Sequence, residues 1–252
     1  MFARLRIGKS RCVLGTLAVL GAITYLDGTA TAARVSGSQA ISTIVVCGWW
    51  LLLYRNVGDR LRRSMLIGVV MATLGEMFFC LLVGMYEYRL GNIPWYVPPG
   101  HTVLYVTNHL LGRDPWVRRH QGGVVLLLST VAAGFSIHWL RAENDVFGFG
   151  CFCAIALLAL AVPRSRLFFV SMYLLVAALE LQGTHWGCWR WQPTWLGHWT
   201  RIPSGNPPSG VALFYVLYDL SCLGVYFFLR WTSFERWIQR RIWRTGLRAA
   251  RE

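Results

Sequence analysis

What this 252-residue chain is short of is charge: 14% of its residues are Asp, Glu, Lys or Arg, against about 25% in an ordinary soluble domain. That shortage argues against a water-soluble fold, and a mean hydropathy of +0.44 agrees. Lysine is nearly missing too, since Lys9 is the only one among 25 basic residues. A net charge of +14 could suggest nucleic acid, but the arginines sit in short clusters between apolar runs, as in a polytopic membrane protein. Nucleic-acid binding and disorder are set aside on that layout. Sequence signatures of cofactor chemistry are also missing: no HExxH, GxSxG, P-loop or GxGxxG pattern occurs. Of the seven cysteines, six fall inside apolar runs, where a thiol behaves as a small hydrophobe, and Cys188 lies near a run's edge. Cys151 and Cys153 are separated by one residue, which matches no common ligand spacing. The expectation is therefore no metal, no cofactor and no disulfide.

What is present is apolar length. The runs read as 12–27, 37–54, 65–86, 96–112, 122–140, 146–163, 167–183 and 210–229. At about 20 residues per crossing, this predicts an all-α polytopic integral membrane bundle of about eight transmembrane helices in one domain, 1–229. The basic start resembles a signal peptide and Ala30-Thr31-Ala32 a cleavage site, but the first run is read as an uncleaved span. Alternate connections place 20 of the 25 basic residues on one side, leaving Arg34, Arg89, Arg141, Arg190 and Arg201 on the other. The positive-inside rule then puts both termini in the cytoplasm, with a bacterial inner membrane as the setting. In the tail, 230–252, Trp231, Phe234, Ile238 and Ile242 recur at helical spacing among arginines, predicting an amphipathic helix on anionic lipid.

Polar groups inside apolar runs need a reason, because a carboxylate at the bilayer centre costs roughly 2.5–3.5 kcal/mol on insertion scales. Three of the 11 acidic residues are so placed: Glu76, Glu180 and Asp219. Tyr215 lies one helical turn before Asp219, on the same face. In the fourth run His101, Tyr105 and Asn108 form one polar stripe at i, i+4, i+7 spacing. His185 and His198 fall near the outer ends. These positions predict a pocket opening outward and floored by Glu76 and Asp219; the bland alternative is cross-helix bonding that glues the bundle.

Two segments, 86–101 and 183–210, would form a lid over it. The second holds Trp189 and Trp191 among its five tryptophans, more than an aromatic belt alone requires when followed by Gly205-Asn206-Pro207-Pro208-Ser209-Gly210. There Asn206 is read as capping a helix that begins at the prolines and offers backbone N–H groups outward. The halves also look related. Glu76, Tyr86-Glu87-Tyr88, Pro98-Pro99 and Tyr105 are echoed by Glu180, Trp189-Arg190-Trp191, Pro207-Pro208 and Tyr215, which suggests a parallel 4+4 internal repeat with the site between halves.

The order of Glu76, then Tyr86-Glu87-Tyr88, then prolines is similar to membrane-bound carotenoid hydratases and cyclases. The second half does not reproduce their pattern, and the likeness implies no more than an isoprenoid-like substrate. The resulting expectation is an enzyme acting on a lipid or isoprenoid substrate at the outer leaflet. Glu76 and Asp219 would be acid and base, and Glu180 would tune them. His101, Tyr105, Asn108, His185, His198, Asn206 and Tyr215 would bind the polar part, and Trp189 and Trp191 would stack on the rest. The alternatives are a proton-coupled transporter using the same carboxylates and an assembly subunit of a membrane complex. Transport ranks below the enzyme because the stretch from Met65 to Thr73 offers only Thr73 as a polar side chain toward the cytoplasm.

Overall fold

Each of the eight apolar runs is a helix. A computed structural model describes residues 9–195 and 199–231, so the expected tail helix lies, from residue 232 onward, outside the described residues. The long helices are α1 (Lys9–Asp27), α3 (Ser38–Asn56), α4 (Asp59–Glu76), α5 (Val97–Leu111), α7 (Gln121–Ala142), α8 (Val146–Ala161), α9 (Arg166–His185) and α10 (Ala212–Trp231). Two short helices, α2 (Thr29–Ala32) and α6 (Pro115–Arg119), sit in connections. Four segments, Asp59–Leu82, Gln121–Ala142, Pro163–His185 and Ala212–Leu229, are long and apolar enough to cross a membrane. Large apolar side chains point outward from the bundle, including Leu66, Val70, Leu126, Leu127 and Leu160, as expected of a surface that meets lipid rather than water.

Local chemistry sets the ends of these helices. Asp114 caps α6 by accepting from the Trp116 amide at 2.9 Å, with Pro115 at the first helical position. Asp145 caps α8 through the Gly148 amide at 3.0 Å. Immediately after Glu76, α4 widens into a π-helical turn over Met77–Leu82, a distortion common beside functional groups. The third run was expected to continue helical to residue 86, but Gly84 takes a left-handed φ of 67° and the chain leaves as a strand.

The fold is not helical throughout. At one end of the bundle β1 (Tyr86–Tyr88) pairs antiparallel with β2 (Trp189–Trp191), and β3 (Thr194–Trp195) with β4 (Trp199–Pro203). The alternation Tyr-Glu-Tyr against Trp-Arg-Trp has the period of a strand, so four aromatic rings share one face. Glu87 and Arg190 form the central pair and are exposed.

Polar staples lock the helices where apolar burial cannot discriminate lipid from protein. The Thr16 and Thr107 hydroxyls bond at 2.9 Å between α1 and α5, and the Trp49 indole of α3 donates to Thr16 at 2.9 Å. Trp50 donates to Thr102 at 2.7 Å. Across the two halves, α4 packs on α10 and α5 on α9. This crossed packing brings the ends of α4 and α9, and hence Glu76 and Glu180, to one place.

Candidate functional site

Glu76, at the last α-helical position before the π turn, is 5% exposed. Its Oε2 accepts from the phenols of Tyr86 and Tyr88, both at 2.9 Å. Its Oε1 meets Nε2 of His101, in the first turns of α5, at 3.1 Å. Glu180, on the penultimate turn of α9, is 4% exposed. Its Oε2 accepts from the indoles of Trp189 at 2.8 Å and Trp191 at 3.0 Å, and its Oε1 from the Tyr215 phenol at 3.2 Å. Each carboxylate is therefore held by two aromatic donors from its own half's strand and a third group from a following helix. The shells touch: the His101 ring stacks on Tyr215 with centroids 4.5 Å apart, and Tyr86 meets Trp191 at 4.6 Å.

Between the shells lies a cavity of about 100 Å³, lined by both carboxylates and by rings including Phe79, Tyr86, Trp189, Trp191, Phe214 and Tyr215. An apolar cavity of about 150 Å³ accommodates benzene, so this one suits a compact head or end group rather than a whole lipid. His101 Nδ1 is buried and has no hydrogen-bond partner. An imidazole that lines a cavity, with one nitrogen on a carboxylate and the other unpartnered, has the arrangement of an oriented general base, or of its conjugate acid. Burial, and then the negative Glu76, hold the Tyr88 phenol well above its ordinary pKa, so it remains a donor at neutral pH.

Two buried aspartates fasten the strand-bearing end. Asp27 accepts from Arg89 at 2.6 Å and from the Tyr96 phenol at 2.7 Å. Asp145 accepts from the amides of Gly205 at 2.8 Å and Ser209 at 2.6 Å. Both carboxylates are fully buried. Cys188 donates to the Thr24 carbonyl at 3.0 Å; burial, then the nearby Asp27, push its thiol pKa up to about 12. Gly183 is required where the Trp189 ring crosses α9, because a Cβ there would enter the indole.

Of the residues expected from sequence, Glu76, Glu180, His101, Trp189, Trp191 and Tyr215 line this cavity. Asp219 does not. It lines a separate, much smaller space between α4, α5 and α10, with Tyr105, Ser64 and Thr102, and its Oδ2 is buried without a partner. Tyr215 and Asp219 do share a helix face, but a four-residue step advances about 6 Å along the axis, enough to reach a different space. Tyr218 stands between and lines both. A single pocket floored by Glu76 and Asp219 is thus corrected to two neighbouring spaces.

Asn108 is a clamp instead: it donates to the Phe168 carbonyl at 2.9 Å and accepts from Ser171 at 2.5 Å, tying α5 to α9. His185 is exposed, its ring against Trp186, and away from the cavity lining. His198 lies outside the described residues. Asn206 caps no helix: α10 begins at Ala212, and the Asn206 side-chain oxygen accepts from the Trp191 amide at 2.9 Å. The Ser209 amide, within the stretch expected to offer N–H groups outward, is taken by buried Asp145, as is the Gly205 amide. Tyr86, Tyr88, Tyr96, Tyr218, Asp27 and Asp145 belong to the site or its fastening but were not among the expected site residues. The two alternating triplets were the available signal, since alternate strand residues face one side.

Compared with known proteins, the chain matches no family model, no curated protein and no solved structure.

Proposed function

We propose that this protein is an integral membrane enzyme that acts on a lipid or isoprenoid substrate by acid–base chemistry. The observation that carries this reading is the His101–Glu76 pair, with Nδ1 unpartnered on a residue that lines an aromatic cavity, which Glu180 also lines. His101 carries the proton, Glu76 orients the imidazole and supports its charge, and Tyr86 and Tyr88 hold Glu76 in place. Glu180 and its two indoles shape the opposite wall. The cavity admits only the reacting end of a long substrate, whose remainder stays in lipid.

The eight long helices are read as eight spans in a bacterial inner membrane, with both termini cytoplasmic and the strand pairs on the outer side. The internal repeat is supported by the matched carboxylate shells, the β1–β2 pairing and the crossed packing of α4 on α10 and α5 on α9. Mass spectrometry of lipid and pigment extracts, comparing cells that express wild type, Glu76→Gln or nothing, tests the enzyme. A mass shift seen with wild type and lost in a well-folded Glu76→Gln is expected. An identical shift in both, or none with wild type, refutes it.

A proton-coupled transporter is the second reading, favoured by one observation. Asp219 Oδ2 is unpartnered within the bundle, one tyrosine away from the main cavity, where a second proton site would stand. Proton-driven uptake into vesicles that is lost in Asp219→Asn, with no mass shift in the extracts, would favour it.

A further inference from the structure

We infer that the central cavity binds a compact organic cation, either a fixed ammonium or the electron-poor carbon of a substrate under reaction. The inference rests on the cavity being a ligand site, which the proposed enzyme also requires. Its first support is the lack, among the described residues, of any permanently charged cation beside the two acids. Glu76 and Glu180 line one space, yet their partners among the described residues are three phenols, two indoles and one imidazole. No lysine or arginine reaches either one among the described residues. The same end of the bundle treats a structural acid differently: Asp27 is given the guanidinium of Arg89 at 2.6 Å. Of the two acids that only fasten the fold, Asp27 is thus given a guanidinium and Asp145 backbone amides, whereas the two acids that meet the cavity receive only aromatic side chains.

Hydrogen-bond direction adds to this. Indole N–H groups can only donate, so two of them on Glu180 Oε2 hold that oxygen as an acceptor, in a residue that lines the site. The aromatic walls complete the fit. Phe79, Tyr86, Trp189, Trp191, Phe214 and Tyr215 offer ring surfaces around about 100 Å³, and a weakly hydrated cation is attracted by such faces. A metal ion with its water shell would need polar lining that this cavity lacks. A tetraalkylammonium head meets the size and the chemistry. So does a carbon made positive by protonation: the proton leaves His101 Nδ1, the alkene π pair forms the new C–H bond, and the neighbouring carbon bears the charge.

The test uses the purified full chain in lipid nanodiscs and reads intrinsic tryptophan fluorescence. Three probes are titrated: tetramethylammonium, an isoprenoid-tailed dimethylammonium, and the neutral isostere of the latter with CH in place of NH⁺. The tailed cation is expected to bind about tenfold or more tighter than its neutral isostere. That preference should collapse toward unity in Glu180→Gln while binding of the neutral probe persists. Should that variant fail to fold, Glu76→Gln serves the same purpose. Tight binding of tetramethylammonium alone identifies a headgroup cation; dependence on the tail identifies the isoprenoid source. Equal binding of cation and isostere, a preference unchanged in the variants, or no binding of any probe overturns the inference. A cation preference without any mass shift in the extracts leaves this site standing and removes the enzyme; a mass shift without a cation preference does the reverse.

Discussion

The two carboxylate shells are built to one plan and finished differently. In each, an acid near the end of a helix is held by two aromatic residues from the strand that follows and by one group from the next long helix. Around Glu180 the three partners are neutral donors, and the shell is closed. Around Glu76 the third partner is an imidazole whose other nitrogen is buried and unpartnered. The difference teaches where the proposed reactivity resides: the Glu180 shell presents a carboxylate held by three donors and ring faces, whereas the Glu76 shell would pass a proton. The fastenings differ in the same way. Asp27 takes a charged guanidinium and a phenol, Asp145 takes backbone amides.

The sharpest way to break this comparison is to exchange the third partners. His101→Ala should lower turnover by about 10²–10⁴-fold, the usual worth of a general acid–base group, and cost about 1–3 kcal/mol of stability because buried Glu76 loses a partner. Tyr215→Phe should cost about tenfold or less, because it removes one hydrogen bond from a shell that keeps two. Equal losses in the two variants would place the proton chemistry elsewhere.

The fastenings come next. Asp27→Asn strands a largely buried arginine and should cost about 3 kcal/mol or more of stability in thermal unfolding. Asp145→Asn retains one acceptor oxygen for its amides and should cost about 1.5–3 kcal/mol. A larger loss for Asp145→Asn would reverse the assignment of the stronger fastening. The smallest effect belongs to Gly183→Ala. Its new Cβ displaces the Trp189 ring, costing about 1–3 kcal/mol and shifting tryptophan emission, while the Glu76 shell keeps its geometry. Unchanged emission would show that Trp189 does not depend on this close approach.

Much of the helical framework was legible in the sequence. The apolar runs 37–54 and 122–140 became helices 38–56 and 121–142, because long apolar stretches bounded by Gly, Pro and arginine act locally. The lid segments were legible as irregular but not as paired, since a three-residue strand is defined only by its partner about a hundred positions away. Asn108 and Asp219 looked alike in the sequence, each a polar residue within an apolar run. One clamps two helices and the other keeps its Oδ2 without a partner, and only the neighbouring helices separate these outcomes. Asp27 and Asp145, acids at or beside the ends of apolar runs, are fully buried, which nothing in the sequence signalled.

The sequence by itself determined a mostly helical chain with segments apolar enough for a membrane, because composition and run length act through solvent, residue by residue. Tertiary structure decided which acids share a cavity and which nitrogen stays open. Those depend on the crossed packing of α4 with α10 and α5 with α9, and on a strand pairing that no local preference encodes.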